Sequence, residues 1–178
     1  MNIFYLDEDP ATCAEYHCDK HVVKMIIEYA QLLSTAHRLC DGFEGFGASK
    51  SGERQVRVWT IHDSRDDVLY RATHVNHPSN KWTRLHEENY TWLLELWLRL
   101  CEEYTKRYSK THLTFTKLHK VLCEIPKHID RGLNVTAFPQ CMPDDCKRED
   151  AVTAYRSFYR AHKREFATWK NGIPMWFN

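Results

Sequence analysis

His17, His21, Lys24, Glu28, Gln31 and Thr35 recur at intervals of three or four residues. On an α-helix they fall within an arc of roughly 80°. Val22, Val23, Ile26, Tyr29, Ala30 and Leu33 cover much of the opposite side, which reads as a core face. A row of titratable groups on a rigid element admits three chemistries. It can be a solvated face carrying a Lys24–Glu28 pair, worth a few tenths (~0.3) of a kcal/mol. It can be a metal site, because His17 and His21 stand i,i+4 and could share a zinc ion, with a third ligand from elsewhere. It can be an acid/base site in which Glu28 works beside the His21 imidazole. Spacing alone leaves all three open.

A second cluster runs from Thr73 to Arg84, where His77, Lys81, Arg84, Glu88 and Glu95 again follow helical spacing. A helix N-terminus preceded by His and followed by Lys and Arg can receive a phosphate on its free N–H groups. An ordinary Ser79 cap with exposed charges accounts for the same pattern. The third cluster, Lys106 to His112, is short, basic and rich in hydroxyls. It suits phosphate contact, as do many helix C-termini, where cations complement the dipole.

These groups need elements to position them. Asp9 followed by Pro10 predicts a helix start. The helical pattern then runs to about Cys40, with a restart near Asp19. Asp41 to Gly52 holds four of the six glycines and reads as a mobile loop. Arg54 to Thr73 suggests a short helix with irregular connections. Ser79 to Tyr108 reads as one long helix, with Trp82, Leu85, Leu93, Leu96, Trp97 and Leu100 as its apolar face. A shorter helix is expected over Thr114 to Glu124, then a loop from Asn134 to Lys147. Asp150 is placed to cap a final helix reaching about Lys170, ended by Gly172-Ile173-Pro174. The expected fold is all-α: a single compact helical domain over residues 1–178, with a long first helix, a long central helix and a C-terminal helix.

The 178 residues, 43% hydrophobic and 28% charged, suit one globular domain burying roughly 70% of its unfolded surface. No apolar stretch approaches the ~20 residues of a membrane span, and the N-terminus lacks a signal-peptide pattern. A cytoplasmic location is expected, with no membrane partner. Seven cysteines without a CxxC pair fit reduced, structural thiols. Charge is uneven. Residues 1–103 carry 11 basic and 17 acidic groups, residues 104–178 carry 14 and 7. The basic part also holds Tyr104, Tyr108, Tyr155, Phe158, Tyr159, Phe166 and Trp169. Basic charge interleaved with aromatics is the usual footprint of a nucleic-acid surface, and equally of a solvated face over an aromatic core.

Three segments together resemble the pyrimidine-dimer DNA glycosylases of the endonuclease V type found in phages and some bacteria. They are the His21…Glu28 spacing, the His77-Pro78-Ser79-Asn80-Lys81-Trp82 run, and Glu103 to His112 with its Arg107. The resemblance covers about Met1 to Thr114. The whole chain is also similar to a group of uncharacterised phage proteins with the segments Asp19–Met25 and Met142–Asp144. The resemblance implies an all-α enzyme that flips a nucleotide out of duplex DNA and attacks its sugar at C1′. An N-terminal α-amine would be the nucleophile, forming a Schiff base. An α-amine ionises near 8 against about 10.4 for Lys, so at neutral pH it is roughly a few hundred-fold richer in the neutral form. Glu28 would stabilise the cationic sugar and shuttle protons.

The chain departs from the prototype at position 2, where Asn2 is large enough for Met1 to be retained. The expected function is therefore a phage-type DNA-processing enzyme, a glycosylase with abasic-site lyase activity on damaged or modified bases. Glu28, His21, Lys24 and the Met1 amine would form the catalytic site. His77, Lys81, Arg84, Arg107, Lys110 and His112 would hold phosphates, and Asn80 and Trp82 would contact or stack on a base. No cofactor is required. Two other readings stand beside it. One is a non-catalytic module that binds a nucleotide or a host defence protein. The other is a metal-dependent nuclease or phosphodiesterase built on His17 and His21.

Overall fold

The computed structural model describes residues 1–49 and 51–178. The N-cap carboxylate of Asp9 accepts from the Thr12 amide at 2.8 Å, and with Pro10 in the first turn it opens α1 (Pro10–Tyr16). The chain breaks at His17-Cys18 and restarts as α2 (Asp19–Asp41), the central helix. A hairpin follows, β1 (Phe43–Ala48) against β2 (Gln55–Thr60). Then come α3 (Pro78–Thr83), α4 (Glu87–Tyr108), α5 (Leu113–Leu122) and α6 (Ala151–His162), with one 3-10 turn before α6 and another at the C-terminus.

Contacts between α2 and α4 run antiparallel. Arg107 reaches Asp19, the Trp97 indole donates to the Ile26 carbonyl at 2.9 Å, and His37 meets the Tyr90 hydroxyl at 2.9 Å. Tyr90 in turn donates to the Leu122 carbonyl, which ties α5 to the same core. On the other side of α2, α6 covers the N-terminal segment. The Phe4 ring packs against Tyr155, Phe158 and Tyr159 there. No helix among the described residues is long and apolar enough to cross a membrane.

The all-α expectation is corrected by the hairpin. Asp41 to Gly52 is not a loop throughout, because residues 43–48 pair in antiparallel register with residues 55–60. Gly45 and Gly47, read as loop markers, alternate along one strand face. A Cβ at Gly47 would press to 3.2 Å from the Val58 side chain, so the missing side chain makes room for a β-branched neighbour. No helix forms between Thr60 and Pro78. That segment is held by Arg38 of α2, whose five N–H bonds go to Tyr70 O, Trp59 O, the Asp66 carboxylate, Asp66 O and Leu69 O at 2.6–3.0 Å.

The expected helix over Ser79–Tyr108 is two helices. Arg84 folds back on the Asn80 side chain and the Val75 carbonyl, and Asn89 takes the Trp82 carbonyl that a continuous helix would have used. The final helix also stops early, at His162 rather than near Lys170.

Two stability consequences follow from buried polar groups. Arg38→Met would orphan several buried carbonyls and leave Asp66 without its partner. We expect a loss of about 3–5 kcal/mol, with Arg38→Lys intermediate because it keeps the charge without the fork. Urea unfolding checks this; a loss below about 1 kcal/mol would contradict it. Burial also lowers His17 and His37 to about 4 and His21 to about 2. The unfolded chain takes up these protons near 6.5 while the folded chain does not. Stability is therefore complete above that pH and is lost as pH falls towards about 4, by up to about 1.4 kcal/mol per pH unit per imidazole. Urea midpoints unchanged between pH 7 and 4.5 would show that these histidines are not buried in the neutral form.

Candidate active site

The N-terminal segment lies extended along α2, and its end meets the middle of that helix. The Met1 α-ammonium stands 3.9 Å from one Glu28 oxygen, and Lys24 Nζ lies 3.1 Å from the other. Exposure is graded. The Met1 side chain is 5% exposed, Glu28 18% and Lys24 62%, so the carboxylate lies at the floor of a recess and the lysine at its rim. A separation of 3.9 Å is an ion-pair contact, longer than a hydrogen bond and within reach of one bridging water.

The end of the chain is anchored by its second residue. Asn2 Nδ2 donates to the Cys141 carbonyl at 2.6 Å, and the Cys141 amide faces the Tyr155 hydroxyl of α6 at 3.4 Å. Opposite Glu28 stands His77, half-buried at the N-cap of α3, where its Nδ1 accepts from the Ser79 amide at 3.2 Å. Burial pushes its imidazole below the usual 6.5. The Met1 ammonium and His74 push the same way, while Glu28 pulls it up. His74 holds a left-handed backbone, φ 48°, with its Nδ1 2.8 Å from Thr73 Oγ1. A non-glycine residue in that region costs on the order of 1–3 kcal/mol, and such strain gathers at functional sites. Gln31, one turn beyond Glu28, borders an open cleft of about 920 Å³ shared with Thr73, Arg38 and the β1–β2 hairpin.

Met1, Lys24, Glu28 and His77 are thus brought together. The other expected residues are not. His21 does not face the recess. It is buried, stacked on Phe4 at 4.5 Å, and its Nδ1 is hydrogen-bonded to the Tyr159 hydroxyl. His17 caps α1 instead of extending α2, and both its ring nitrogens are engaged, by Cys13 O at 2.7 Å and the Tyr29 hydroxyl at 2.8 Å. The two imidazoles therefore make no shared ligand pair. Among the described residues, the grouping of metal-binding side chains that does approach within 4.8 Å is Asp145, Cys146 and His162, where the 3-10 turn before α6 meets the C-terminal end of that helix.

Trp82 is buried against Phe138 and donates to the Thr136 carbonyl, so its ring offers no face to a base. Asn80 is buried between the Thr73 carbonyl and Arg84. The Arg107 side chain is 0% exposed and bound to Glu103, Asp19 and the carbonyls of Glu15 and His17. It pins the α1–α2 junction, and Asp19 there is nine residues, or roughly 13 Å of helix, from Glu28. His112 caps α5 by accepting from the Thr114 amide. Lys81 and Lys110 are exposed. Sequence reasoning missed Asn2, Tyr29, His74, Cys141 and Lys163, the residues that anchor or flank the recess.

Compared with known proteins, the chain matches no family model, no curated protein and no solved structure.

The geometry makes a spectroscopic prediction. His77 should titrate below 6.5 by NMR, and Glu28→Gln should move it lower still, because the change removes the one group that favours its protonation. An unchanged or raised His77 titration in Glu28→Gln would show that the carboxylate does not face the imidazole.

Proposed function

We propose that the chain is a DNA-processing enzyme, a glycosylase with abasic-site lyase activity that uses the Met1 α-amine as nucleophile and works in the cytoplasm. The observation that carries this reading is the 3.9 Å approach of the α-amine to Glu28 in a recess flanked by His77. The neutral amine would attack C1′ of a flipped nucleotide, forming the C–N bond as the glycosidic bond breaks and the base leaves with the electron pair. Loss of a proton from nitrogen and opening of the sugar ring then give the imine. The Glu28 carboxylate accepts that proton through one water, and its negative charge stabilises the cationic sugar in the transition state. On an abasic aldehyde, the same amine condenses with loss of water. Lys24, bonded at 3.1 Å to the other carboxylate oxygen, fixes the orientation of Glu28 towards the amine.

The same Lys24–Glu28 bond favours a second reading, a module that binds a nucleotide without chemistry, because one of the two carboxylate oxygens is already engaged. Trapping separates the two. Sodium borohydride should reduce the imine formed with an abasic duplex into a stable adduct, mapped by mass spectrometry to Met1. Glu28→Gln keeps the shape and removes the charge. Turnover should fall ~100-fold or more, about 2.7 kcal/mol of transition-state stabilisation, with DNA affinity little changed. A folded Glu28→Gln protein that cuts as fast as the parent, or an adduct on a lysine side chain, would end the proposal.

A further inference from the structure

The residues that the sequence marks for phosphate are largely spent inside the fold: Arg107 and Arg84 on neighbouring carbonyls and side chains, His77 and His112 on helix caps. Other cations gather beside the recess. Lys163 closes α6, its amide donating to the Tyr159 carbonyl at 2.9 Å, and its Nζ stands 4.6 Å from the centre of the Phe158 ring. Phe158 stacks with Phe4, and Phe4 stacks on His21, one turn before Lys24. Lys20 is held the same way, with Nζ 4.6 Å from the Phe166 ring, whose edge meets His21 at 5.5 Å. Two lysines are thus seated on aromatic faces around one buried imidazole, and Lys24 stands on the adjoining turn.

We propose that Lys163 and Lys24, with Lys20 behind them, form a seat for a phosphate ester next to the Met1–Glu28 recess. The charge balance supports it. Glu28 is the anion paired there, shared between Lys24 and the Met1 ammonium, while Lys20 and Lys163 add two further positive charges. Burial lowers the Lys163 ammonium below its usual range, and the Lys24 charge acts in the same direction. All three lysines also bear on His21, which stays neutral and cannot worsen the crowding. A bound phosphate would offset the positive charge that the three lysines bring to the rings around His21. Lysines are suited to this as compact charges with rotatable donors. The cation–π contacts hold two of the ammonium groups before the anion arrives, which lowers the ordering cost of binding. The proposal deepens the DNA reading and rests on it for the identity of the ester, a strand phosphodiester flanking the flipped nucleotide. A free nucleotide would offer the same chemistry.

The test uses the full chain and three probes: a duplex carrying a stable abasic-site analogue, a deoxynucleoside monophosphate, and inorganic phosphate. Lys163→Gln keeps the alkyl stem on Phe158 and removes the charge; Lys163→Arg restores it; Lys120→Ala on α5 controls for general loss of positive charge. For Lys163→Gln we expect duplex affinity about 10-fold weaker and a salt-dependence slope smaller by about 0.9, the value for one phosphate contact. Arg should recover most of it, and Lys120→Ala should leave the affinity within about two-fold. A parent that binds duplex while Lys163→Gln binds it equally well overturns the seat and leaves the DNA reading standing. Binding of the monophosphate or inorganic phosphate alone, lost in Lys163→Gln, keeps the seat and overturns the DNA reading. Binding of none of the three probes overturns both.

Discussion

The Tyr29 hydroxyl sits where the N-terminal segment, α1 and α2 meet, and the geometry of the recess depends on it. An extended segment buried against a helix has backbone groups that no helix or sheet satisfies, and each must find a partner or cost free energy. The Cys13 carbonyl can only accept, so the His17 Nδ1 bonded to it carries the proton and Nε2 is left as an acceptor. Tyr29 therefore donates to His17 Nε2 and keeps its own lone pair for the Phe4 amide at 3.1 Å. That chain of bonds has one polarity, and it works only while His17 is neutral. The rest of the segment is pegged in the same manner. The Leu6 amide meets Cys13 Sγ, which donates to the Phe4 carbonyl, and Arg156 of α6 takes the Leu6 carbonyl. With Phe4 and Leu6 fixed, and Asn2 tied to Cys141, little freedom is left to Met1.

An amine on a pegged strand and a carboxylate in the middle of a 23-residue helix are held by two different rigid elements. That is the arrangement in which a near-attack geometry costs little to keep. The surrounding electrostatics lean one way. Glu28 faces Lys24, the Met1 ammonium and His77, and burial keeps His21 and His77 from adding charge at neutral pH. A site with one carboxylate among several cations holds an anion readily. It is poorly suited to a divalent metal, which asks for the opposite balance.

What was legible in the sequence was what local chemistry decides. The caps at Asp9 and Asp150 are set by side chains within a few residues of the backbone groups they serve, whereas the restart at Asp19 has no side-chain cap and is held by Arg107 and the Thr168 carbonyl. The misses came from partners distant in sequence. The hairpin hides because Gly45 and Gly47 carry no strand signal of their own; Val56, Val58 and Trp59 across the register supply it. The long helix splits because Asn89 and Arg84 offer local bonds that outweigh one more helical turn. At the recess, helical spacing rightly placed Lys24 and Glu28 together. It wrongly extended the stripe back to His17, because the break at Cys18 lies between them. Met1 beside Glu28 was visible only through the family resemblance, since an N-terminal strand has no periodicity to align it with a helix. Lys163 left one trace, an aromatic five residues before it at Phe158, a spacing too common to stand out.

The basic C-terminal part shows where much of its positive charge goes. Its arginines mostly serve the fold. Arg107 binds the carbonyls of His17 and Glu15, Arg156 that of Leu6, Arg160 that of Trp176, Arg164 that of Phe177, and Arg148 those of Asp145 and Lys147. Arg38 does the same for the stretch after the hairpin. A chain with long irregular segments has many carbonyls outside any ladder, and a planar guanidinium with five donors can satisfy several at once, which an ammonium cannot. Arginine is thereby drawn into bonds with the backbone and lysine left at the rim. Lys20, Lys24, Lys81, Lys110 and Lys163 are then the cations free of backbone duty near the elements that frame the recess. Any nucleic-acid contact made through them would be a contact of point charges with phosphates, strong at low salt and indifferent to sequence. Selectivity would then have to come from the recess itself, through which nucleotide can leave its stack and bring C1′ to the Met1 amine.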